Sequence, residues 1–527
     1  MEAEGEPWGG LMGITAGGRR LRRLGGLCAL GVLVGATAAA PTPAAVAPTD
    51  ALDQVLAILA PDHANRSTLG ATTASKHELT LALRDLAAGV AGLTPARRLA
   101  AERLLARPTG KAVEGWGPAY TVAEARLCDP NLCIHWVEST DDAPPGSDGD
   151  PGTVPEWART TLAVFQQVWA TEVDAMGYRA PKTDAHSPDN GGDGRLDVYL
   201  ADVGDTVYGY CASDDPDVQR SSASAYCVVD DDFARTQFPG PTSGLAALEV
   251  TAAHEFFHAV QFSYDYLEDT WLMEGTAAWI EDEVFDDVND NRQFLNASPL
   301  SRSTIPLDVS FAPYHYGAWI FWRYLSERFD PALVREVWEQ ADGARGGGNL
   351  YSLTATRAAL SARGLSFGAV FAGFTAVNRM PATGYEEGTT YPLAPPSRTW
   401  TLRATGASTG WRSQSLEHLT SRSFRFRTAG AMSGRLRLDL LLPPRSTGSE
   451  ARLLVYRRSG GVSVRSLPAA GGKTTVRVRV RGAVRFELVL ANASTRIAGC
   501  GIFSTPFSCS GKPLDDGRRY GFRATLV

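Results

Sequence analysis

Beyond its N-terminus, this 527-residue sequence lacks any apolar run of the roughly 20 residues that a membrane-spanning helix needs. It also lacks Cys-x-x-Cys pairs, which disfavours a zinc ribbon, and it shows no repeat register of the kind found in solenoids or propellers. Histidine is scarce, with 8 residues in the whole chain. The 44% hydrophobic content predicts a globular protein with sizeable buried cores and two or three domains.

The first 40 residues have the pattern of an export signal. Four arginines precede an apolar run at residues 24–36, and three alanines follow at residues 38–40. The apolar run is shorter than a membrane span. We therefore expect residues 1–40 to be a cleaved signal peptide, and the mature protein to be secreted, extracellular and without a transmembrane anchor.

Cysteine is also infrequent, and six of the seven cysteines lie beyond the signal in three close pairs. Six cysteines allow 15 pairings, so the connectivity is inferred from proximity alone. An oxidising compartment favours local disulfides over metal binding. The expected pairs are Cys128 with Cys133, Cys211 with Cys227 and Cys500 with Cys509.

Charge is distributed unevenly along the chain. Residues 401–527 contain 22 Lys and Arg against 6 Asp and Glu, a net charge of +16, whereas residues 41–400 carry −24. Most of the C-terminal arginines alternate with apolar residues, which is typical of the solvated face of a sheet. The alternative is that this basic region binds an anionic surface or polymer; a specific nucleic-acid partner is not expected.

The spacing of apolar residues divides the chain into regions. Residues 41–115 are predicted to be a helical N-terminal segment or a pro-region. Residues 116–395 mix short strands with helices, which predicts an α+β domain. Beyond the Pro-rich stretch at residues 392–396 the apolar period becomes two, so residues 401–527 are predicted to form an accessory β-sandwich.

The pentapeptide His254-Glu255-Phe256-Phe257-His258 lies in a predicted helix at residues 245–264, with Ser243 as a candidate N-cap. Residues four apart share a helix face, so the two imidazoles can bind one zinc ion. Glu255 flanks that face, where it can serve as general base. A catalytic zinc also needs a third protein ligand and an open position for water.

Glu274 is the predicted third ligand. It lies in an apolar helix predicted at residues 271–283. Burying a carboxylate without a partner is very costly, and a cation already held by two histidines would supply one. The sequence therefore predicts a zinc site formed by His254, His258 and Glu274.

The segment Trp271-Leu272-Met273-Glu274-Gly275 resembles the Trp-Leu-Asn-Glu-Gly signature of the zinc aminopeptidases of the leukotriene-hydrolase type. That resemblance implies a zincin-like fold and a gluzincin site with Glu274 as zinc ligand. Residues 254–284 and 316–319 also resemble a family of secreted bacterial zinc metallopeptidases.

The chain departs from these relatives in several places. It lacks the Gly-x-Met-Glu-Asn motif, which disfavours an exopeptidase. Gln261 and Tyr264 stand where metzincins have glycine and a third histidine. Ala278 stands where thermolysin-like enzymes have an aspartate, so the group that orients the zinc histidines is open, with Glu281 and Asp282 as candidates.

Two residues compete for the role of steadying the oxyanion. Residues 313–317 resemble the Pro-Tyr-x-x-Gly segment of the same aminopeptidases, which implies Tyr314. His315 is the rival, because a histidine downstream of the glutamate performs this task in thermolysin-like enzymes. In a third interpretation, Tyr314 and Tyr316 only pack where a strand enters a helix.

Two acidic segments are candidate calcium sites. Residues 189–197 partly match a calcium loop, but Gly191 fills a usual ligand position and the twelfth-position glutamate is absent. Residues 286–290 are the second, with a solvated helix end as the alternative interpretation.

These observations together predict a secreted zinc-dependent endopeptidase that cleaves proteins or peptides. Zinc is held by His254, His258 and Glu274, and Glu255 activates the water. Two alternatives stay open. One is a non-catalytic surface-binding protein on a zincin scaffold, and the other is a zinc hydrolase acting on a non-protein amide or ester.

Overall fold

The structure is a computed structural model that describes residues 51–59, 79–109, 119–204, 207–215, 221–344, 346–428 and 434–527. It has a mixed α+β fold with a β-rich region at its C-terminal end, which confirms the fold class at that level. The expected signal peptide lies outside the described residues.

Ahead of the first sheet, the structure describes three α-helices. They are α1 (Ala51–Leu59), α2 (Leu79–Gly89) and α3 (Pro95–Leu104). Helix α3 begins at Pro95. Proline suits the first position of a helix because the backbone N–H there has no acceptor within the helix, so its absence costs nothing. Buried leucines of these helices form a core with one face of the sheet, including Tyr199 and Val228.

The first sheet has the order β1-β2-β3-β5-β4. Its strands are β1 (Glu124–Cys128), β2 (Leu132–Val137), β3 (Leu196–Ala201), β4 (Gly209–Ala212) and β5 (Tyr226–Asp230). The central strands β2, β3 and β5 are parallel, and the edge strands β1 and β4 are antiparallel to their neighbours. The central strands are buried throughout because helices cover both faces of the sheet.

The described residues contain nine further α-helices. They are α4 (Glu156–Trp169), α5 (Leu245–Tyr264), α6 (Thr270–Val284), α7 (Tyr314–Gly317), α8 (Trp319–Arg328), α9 (Ala332–Ala341), α10 (Ser352–Ala362), α11 (Phe367–Val377) and α12 (Pro381–Gly384). Of these, α4 lies between β2 and β3 in the sequence. Helix α5 packs on the second face of the sheet, and α6 packs against α5. The prediction of Ser243 as N-cap is wrong, because Gly244 occupies that position with a φ of 58°, a value that suits glycine.

Within residues 398–428 and 434–527, the C-terminal region forms two main sheets and a short ribbon. Its strands are β6 (Arg398–Leu402), β7 (Arg412–Leu416), β8 (Thr420–Thr428), β9 (Arg435–Pro444), β10 (Ser449–Arg457), β11 (Val462–Ser466), β12 (Ala470–Arg479), β13 (Ala483–Asn492), β14 (Ile497–Ala498), β15 (Lys512–Pro513) and β16 (Arg518–Leu526). The sheets have the orders β11-β10-β13-β8-β6 and β12-β9-β16-β7, and β14 pairs with β15. Side chains of both main sheets share one apolar core, including Leu438, Leu488 and Phe522.

The β-rich region contacts the N-terminal end of α6. Asp269, the N-cap of α6, accepts hydrogen bonds from the backbone N–H of Cys509 at 2.7 and 2.9 Å. The indole of Trp271 donates to Ser508 at 3.0 Å. The loop closed by Cys500 and Cys509 therefore helps to fix the helix that carries Glu274.

The three cysteine pairs predicted from proximity are disulfide-bonded, with S–S distances of 2.14, 1.84 and 2.10 Å. Two of them join directly paired residues, across β1 and β2 and across β4 and β5. Among the described helices, none is by itself long and apolar enough to cross a membrane; only the bent pair α10 and α11, taken together, reaches that length and composition.

Candidate metal centre

Helices α5 and α6 bring the three predicted ligands together. The Nε2 atoms of His254 and His258 lie 3.3 and 3.6 Å from Oε2 of Glu274. The three ligand atoms lie within 4.8 Å of one another, and all three side chains are buried. Two imidazole nitrogens and one carboxylate oxygen therefore converge on one point, as a catalytic zinc site requires.

The converging atoms have few hydrogen bonds of their own. Within the described residues, Nε2 of His258 and Oε2 of Glu274 are buried and make none. An unsatisfied buried polar atom costs about 1–3 kcal/mol, and more when the group is charged. A divalent cation would satisfy both atoms at once, so this donor set fits zinc.

The electrostatics of the site favour an ionised carboxylate. Burial opposes ionisation of Glu274, but the adjacent imidazoles of His258 and His254 outweigh it and hold the pKa of Glu274 well below its usual range. Burial also works against protonation of His258, while the nearby Glu274 raises the pKa of that imidazole. The side chains of His258 and Glu274 therefore favour a positive charge between them, carried either by a proton or by a metal ion.

Each of the two histidines predicted to bind zinc has a hydrogen-bond partner on its other ring nitrogen. Nδ1 of His254 lies 2.7 Å from Oε1 of Glu281, and Nδ1 of His258 lies 2.7 Å from Oε1 of Gln261. Donation from Nδ1–H to these oxygens leaves Nε2 of each ring with a lone pair for the metal. Of the two candidates that the sequence left open, Glu281 takes this role.

Asp282, the other candidate, lies 3.0 Å from the guanidinium of Arg323. Sequence reasoning missed Gln261 as an orienting residue and noted it only as a departure from metzincins. In the structure its amide also donates to the carbonyl of Met273 and the hydroxyl of Thr276, at 2.9 and 3.1 Å. Its position three residues after His258, one helical turn away, was the available signal.

Glu255 receives a hydrogen bond from an unexpected part of the chain. The hydroxyl of Thr80, in α2, donates to Oε2 of Glu255 at 2.7 Å. The same hydroxyl accepts from the backbone N–H of Cys211 on the edge strand β4 at 2.9 Å. The sequence suggested no chemistry for the segment that contains Thr80, and no local pattern links residues 175 positions apart.

The structure distinguishes the two oxyanion candidates. The hydroxyl of Tyr314 donates to the carbonyl of Ile305 at 2.9 Å, which argues against a catalytic role for it. His315 is 7% exposed, and neither of its ring nitrogens makes a hydrogen bond within the described residues. Burial lowers the pKa of His315 to about 4, despite the opposing influence of Glu274, so the ring is neutral and keeps one N–H to donate. Tyr316, given only a packing role, has its ring 6.1 Å from that of His254.

Calcium binding at residues 189–197 stays a prediction, and the contacts of two of its carboxylates argue against it. Asp197 lies 2.5 Å from the guanidinium of Arg107, and Asp193 lies 2.6 Å from that of Arg195. Hydrogen bonds from Arg195 lower the pKa of Asp193 to about 2. Arginines already neutralise these carboxylates, so a second cation is electrostatically disfavoured there. In the described part of the chain, the clusters of side chains that could hold a metal ion do not include residues 286–290.

No family model matches the chain, and no curated protein matches it. Among solved structures, it is similar to the pre-peptidase C-terminal domain of a collagenase from Bacillus anthracis, with a TM-score of 0.16 and 10% identity over 26% of this chain and 100% of that one. A family GH115 4-O-methyl-alpha-glucuronidase gives a TM-score of 0.13 and 11% identity over 53% of this chain and 41% of that one. These scores are too low to support an argument about function.

Proposed function

We propose that this protein is a zinc-dependent endopeptidase of gluzincin type with a zincin-like catalytic region. The observation that carries the proposal is the convergence of His254, His258 and Glu274 on one point, with Glu255 following His254 in the same buried helix. Zinc held there would lower the pKa of a bound water to about 7 and polarise the substrate carbonyl.

The residues of the chain have separate tasks in the proposed reaction. Glu255 accepts a proton from the attacking water and passes it to the leaving amine. His315, neutral and with a free N–H, donates a hydrogen bond to the developing oxyanion. Glu281 and Gln261 hold the tautomers of the two zinc histidines. Secretion belongs to the proposal as well, because three disulfides suit an oxidising compartment.

One observation favours the alternative of a non-catalytic zincin scaffold. His254, Glu255 and His258 are fully buried, and Glu274 is 1% exposed. A polypeptide cannot reach these groups without a movement of the surrounding structure. The intact base still favours an enzyme, because a binding scaffold needs the ligands but has no use for Glu255.

The test compares the purified full-length chain with Glu255→Gln, measuring bound zinc and casein cleavage together. We expect Glu255→Gln to keep zinc and to lose about 10²–10⁴-fold in turnover. Glu249→Gln, the same change on the same helix at a half-buried position away from the ligands, is the matched control and should cleave normally. Equal turnover by wild type and Glu255→Gln would refute the mechanism, and zinc binding without any cleavage by the wild type would favour the scaffold.

A further inference from the structure

We propose that a cleft in the β-rich region binds a linear polymer of phosphate groups. The cleft, here called the arginine cleft, has a volume of about 730 Å³. It is lined by Arg435, Arg457, Arg465, Arg477, Val478, Arg479 and Arg481. Because the lining contains six guanidinium groups and no carboxylate, it is suited to an anion with several charges. This proposal is independent of the peptidase activity.

The arrangement of the cleft works against the stability of the free protein. Arg479 on β12 lies directly opposite Arg435 on β9. Two residues along the same strands, Arg477 lies opposite Arg437. Like charges directly opposite each other destabilise a sheet. Asp439 neutralises Arg437 at 2.9 Å but does not line the cleft. An anionic ligand would remove the remaining repulsion.

The spacing of the arginines suits a repeating anion. Arg477 and Arg479 alternate with buried Val478 along β12, so their attachment points are about 7 Å apart on one face. Arg465 belongs to β11 of the other main sheet, and Arg457 ends β10 there. A chain of phosphates can contact arginines of both sheets at once, which a single phosphate cannot do.

The lining also favours a polymer without bases. Single-stranded nucleic acids are held by basic grooves in which aromatic side chains stack on the bases. No aromatic side chain is among the lining residues of the arginine cleft. The contacts on offer are therefore to phosphate groups alone.

The test measures binding of sodium polyphosphate of defined length to the full-length protein at several salt concentrations. The variant carries Arg465→Ala, Arg477→Ala and Arg479→Ala together. Its control removes the same charge from exposed positions outside the cleft, by Arg403→Ala, Arg427→Ala and Arg519→Ala. We expect the cleft variant to bind at least about tenfold more weakly and the slope of log K against log salt to fall by about 2, since each lost phosphate contact contributes about 0.7.

The corresponding triple lysine variant keeps the charge and should keep the slope. Equal losses in the cleft variant and its control would overturn the proposal, because the effect would then be one of net charge. Tighter binding of oligo-dT than of polyphosphate of equal charge would also overturn it, in favour of a nucleic-acid partner.

A different set of contacts carries a second inference, which rests on the proposed function. We infer that helix α2 is a cover that closes the metal centre. Thr80 bonds to the base Glu255 and to the N–H of Cys211 on the edge strand β4. β4 is an edge strand that is buried in this structure, and its free edge is of the kind that binds extended peptides, so Thr80 occupies space that a substrate strand would need.

A second residue of α2 holds the cover against α6. Arg84 is 6% exposed, and its guanidinium donates to the carbonyl of Glu268 at 2.8 Å and lies 2.9 Å from the sulfur of Met273. Met273 immediately precedes the ligand Glu274. Helix α2 therefore contacts both the base and the helix of the third ligand, and access to the metal requires it to move.

The test combines Thr80→Val with Arg84→Met in the full-length zinc protein. Loss of a hydrogen bond to a charged group should favour opening by about tenfold or more. We expect zinc transfer to an excess of chelator and casein cleavage both to become faster by about that factor. Thr94→Val together with Arg98→Met, at and near the start of α3, is the matched control and should change neither rate.

Unchanged zinc transfer with slower cleavage would overturn this inference, because α2 would then only position Glu255. Unchanged rates of both processes would overturn it too. Faster zinc transfer without any cleavage would support the cover and count against the proposed peptidase, so the two failures can be told apart.

Discussion

Arg107, beside the first sheet, and the arginines of the arginine cleft in the β-rich region have opposite surroundings. Arg107, fully buried beside the first sheet, lies 2.6 Å from Asp184 and 2.5 Å from Asp197. Arg477 and Arg479 are exposed, and they face other arginines across the sheet. Arg107 thus contributes to the fold, whereas the arginines of the arginine cleft are the ones proposed to bind an anionic partner.

The largest predicted effect tests the structural use of arginine. Arg107→Met leaves buried Asp184 without a cation and leaves Asp197 with His135 alone, so we expect a loss of about 3–5 kcal/mol in the free energy of unfolding. Urea unfolding at neutral pH measures it. Arg363→Met breaks a half-exposed pair with Glu336 and should cost under about 1 kcal/mol. Equal costs for the two variants would show that Arg107 has no special role.

Arg107 also bears on the choice between a removable pro-region and a permanent helical segment. Cleavage after residue 115 would take Arg107 away from its carboxylates and uncover the sheet face that includes Tyr199 and Val228. The contacts therefore favour a segment that stays with the protein, and opening of the site would then need movement of α2 rather than its loss.

The joint between the two regions should respond to pH. His418, 1% exposed, lies 2.8 Å from Asp308 of the helical region and 2.8 Å from Asp516. Burial opposes protonation, but Asp308 and Asp516 outweigh it and raise the pKa of His418 to about 9. The pKa of His418 in the folded protein exceeds the unfolded value of about 6.5. The stabilisation that protonated His418 gives to the folded state is therefore complete below pH 6.5 and is lost as the pH rises through 9.

This contribution is at most about 3 kcal/mol. His418→Gln should therefore lower stability at pH 6 and have little effect at pH 10, as measured by urea unfolding across that range. A wild-type stability that does not decline relative to His418→Gln between these limits would contradict the charged pairing.

A smaller effect is expected for the residues that contact the histidines of the proposed zinc site. Gln261→Ala removes the acceptor for Nδ1 of His258, which should weaken zinc affinity about 10–100-fold. Competition with a chelator of known affinity measures it. Gln293→Ala, which changes an exposed glutamine bonded to Asp290, is the control and should not alter affinity. An unchanged affinity in Gln261→Ala would remove this residue from the site.

What could be predicted from the sequence was local in origin. His254 and His258 share a helix face by their spacing, and the disulfides joined near neighbours. Glu274 was predicted as the third ligand because a carboxylate on an apolar helix needs a partner, and a resemblance then supported the choice. Thr80 and Arg107 were missed because their partners lie 175 and 90 positions away, and no periodicity encodes such pairings. Tyr314 was favoured by its motif, but the backbone carbonyl that takes its hydroxyl cannot be seen in a sequence.

The smallest predicted effect concerns the unfolding free energy that repulsion between the arginines of the arginine cleft removes. Arg479→Gln removes one charge of the Arg435 pair, so the free protein should gain about 0.2–1 kcal/mol in unfolding free energy. Arg519 of β16 lies opposite Ser415 of β7 rather than opposite another arginine. Arg519→Gln should therefore change the unfolding free energy little. Thermal unfolding at low salt measures both. Because screening weakens repulsion between exposed charges, the gain should shrink at high salt; a gain that is independent of salt would mean that packing, rather than charge, is responsible.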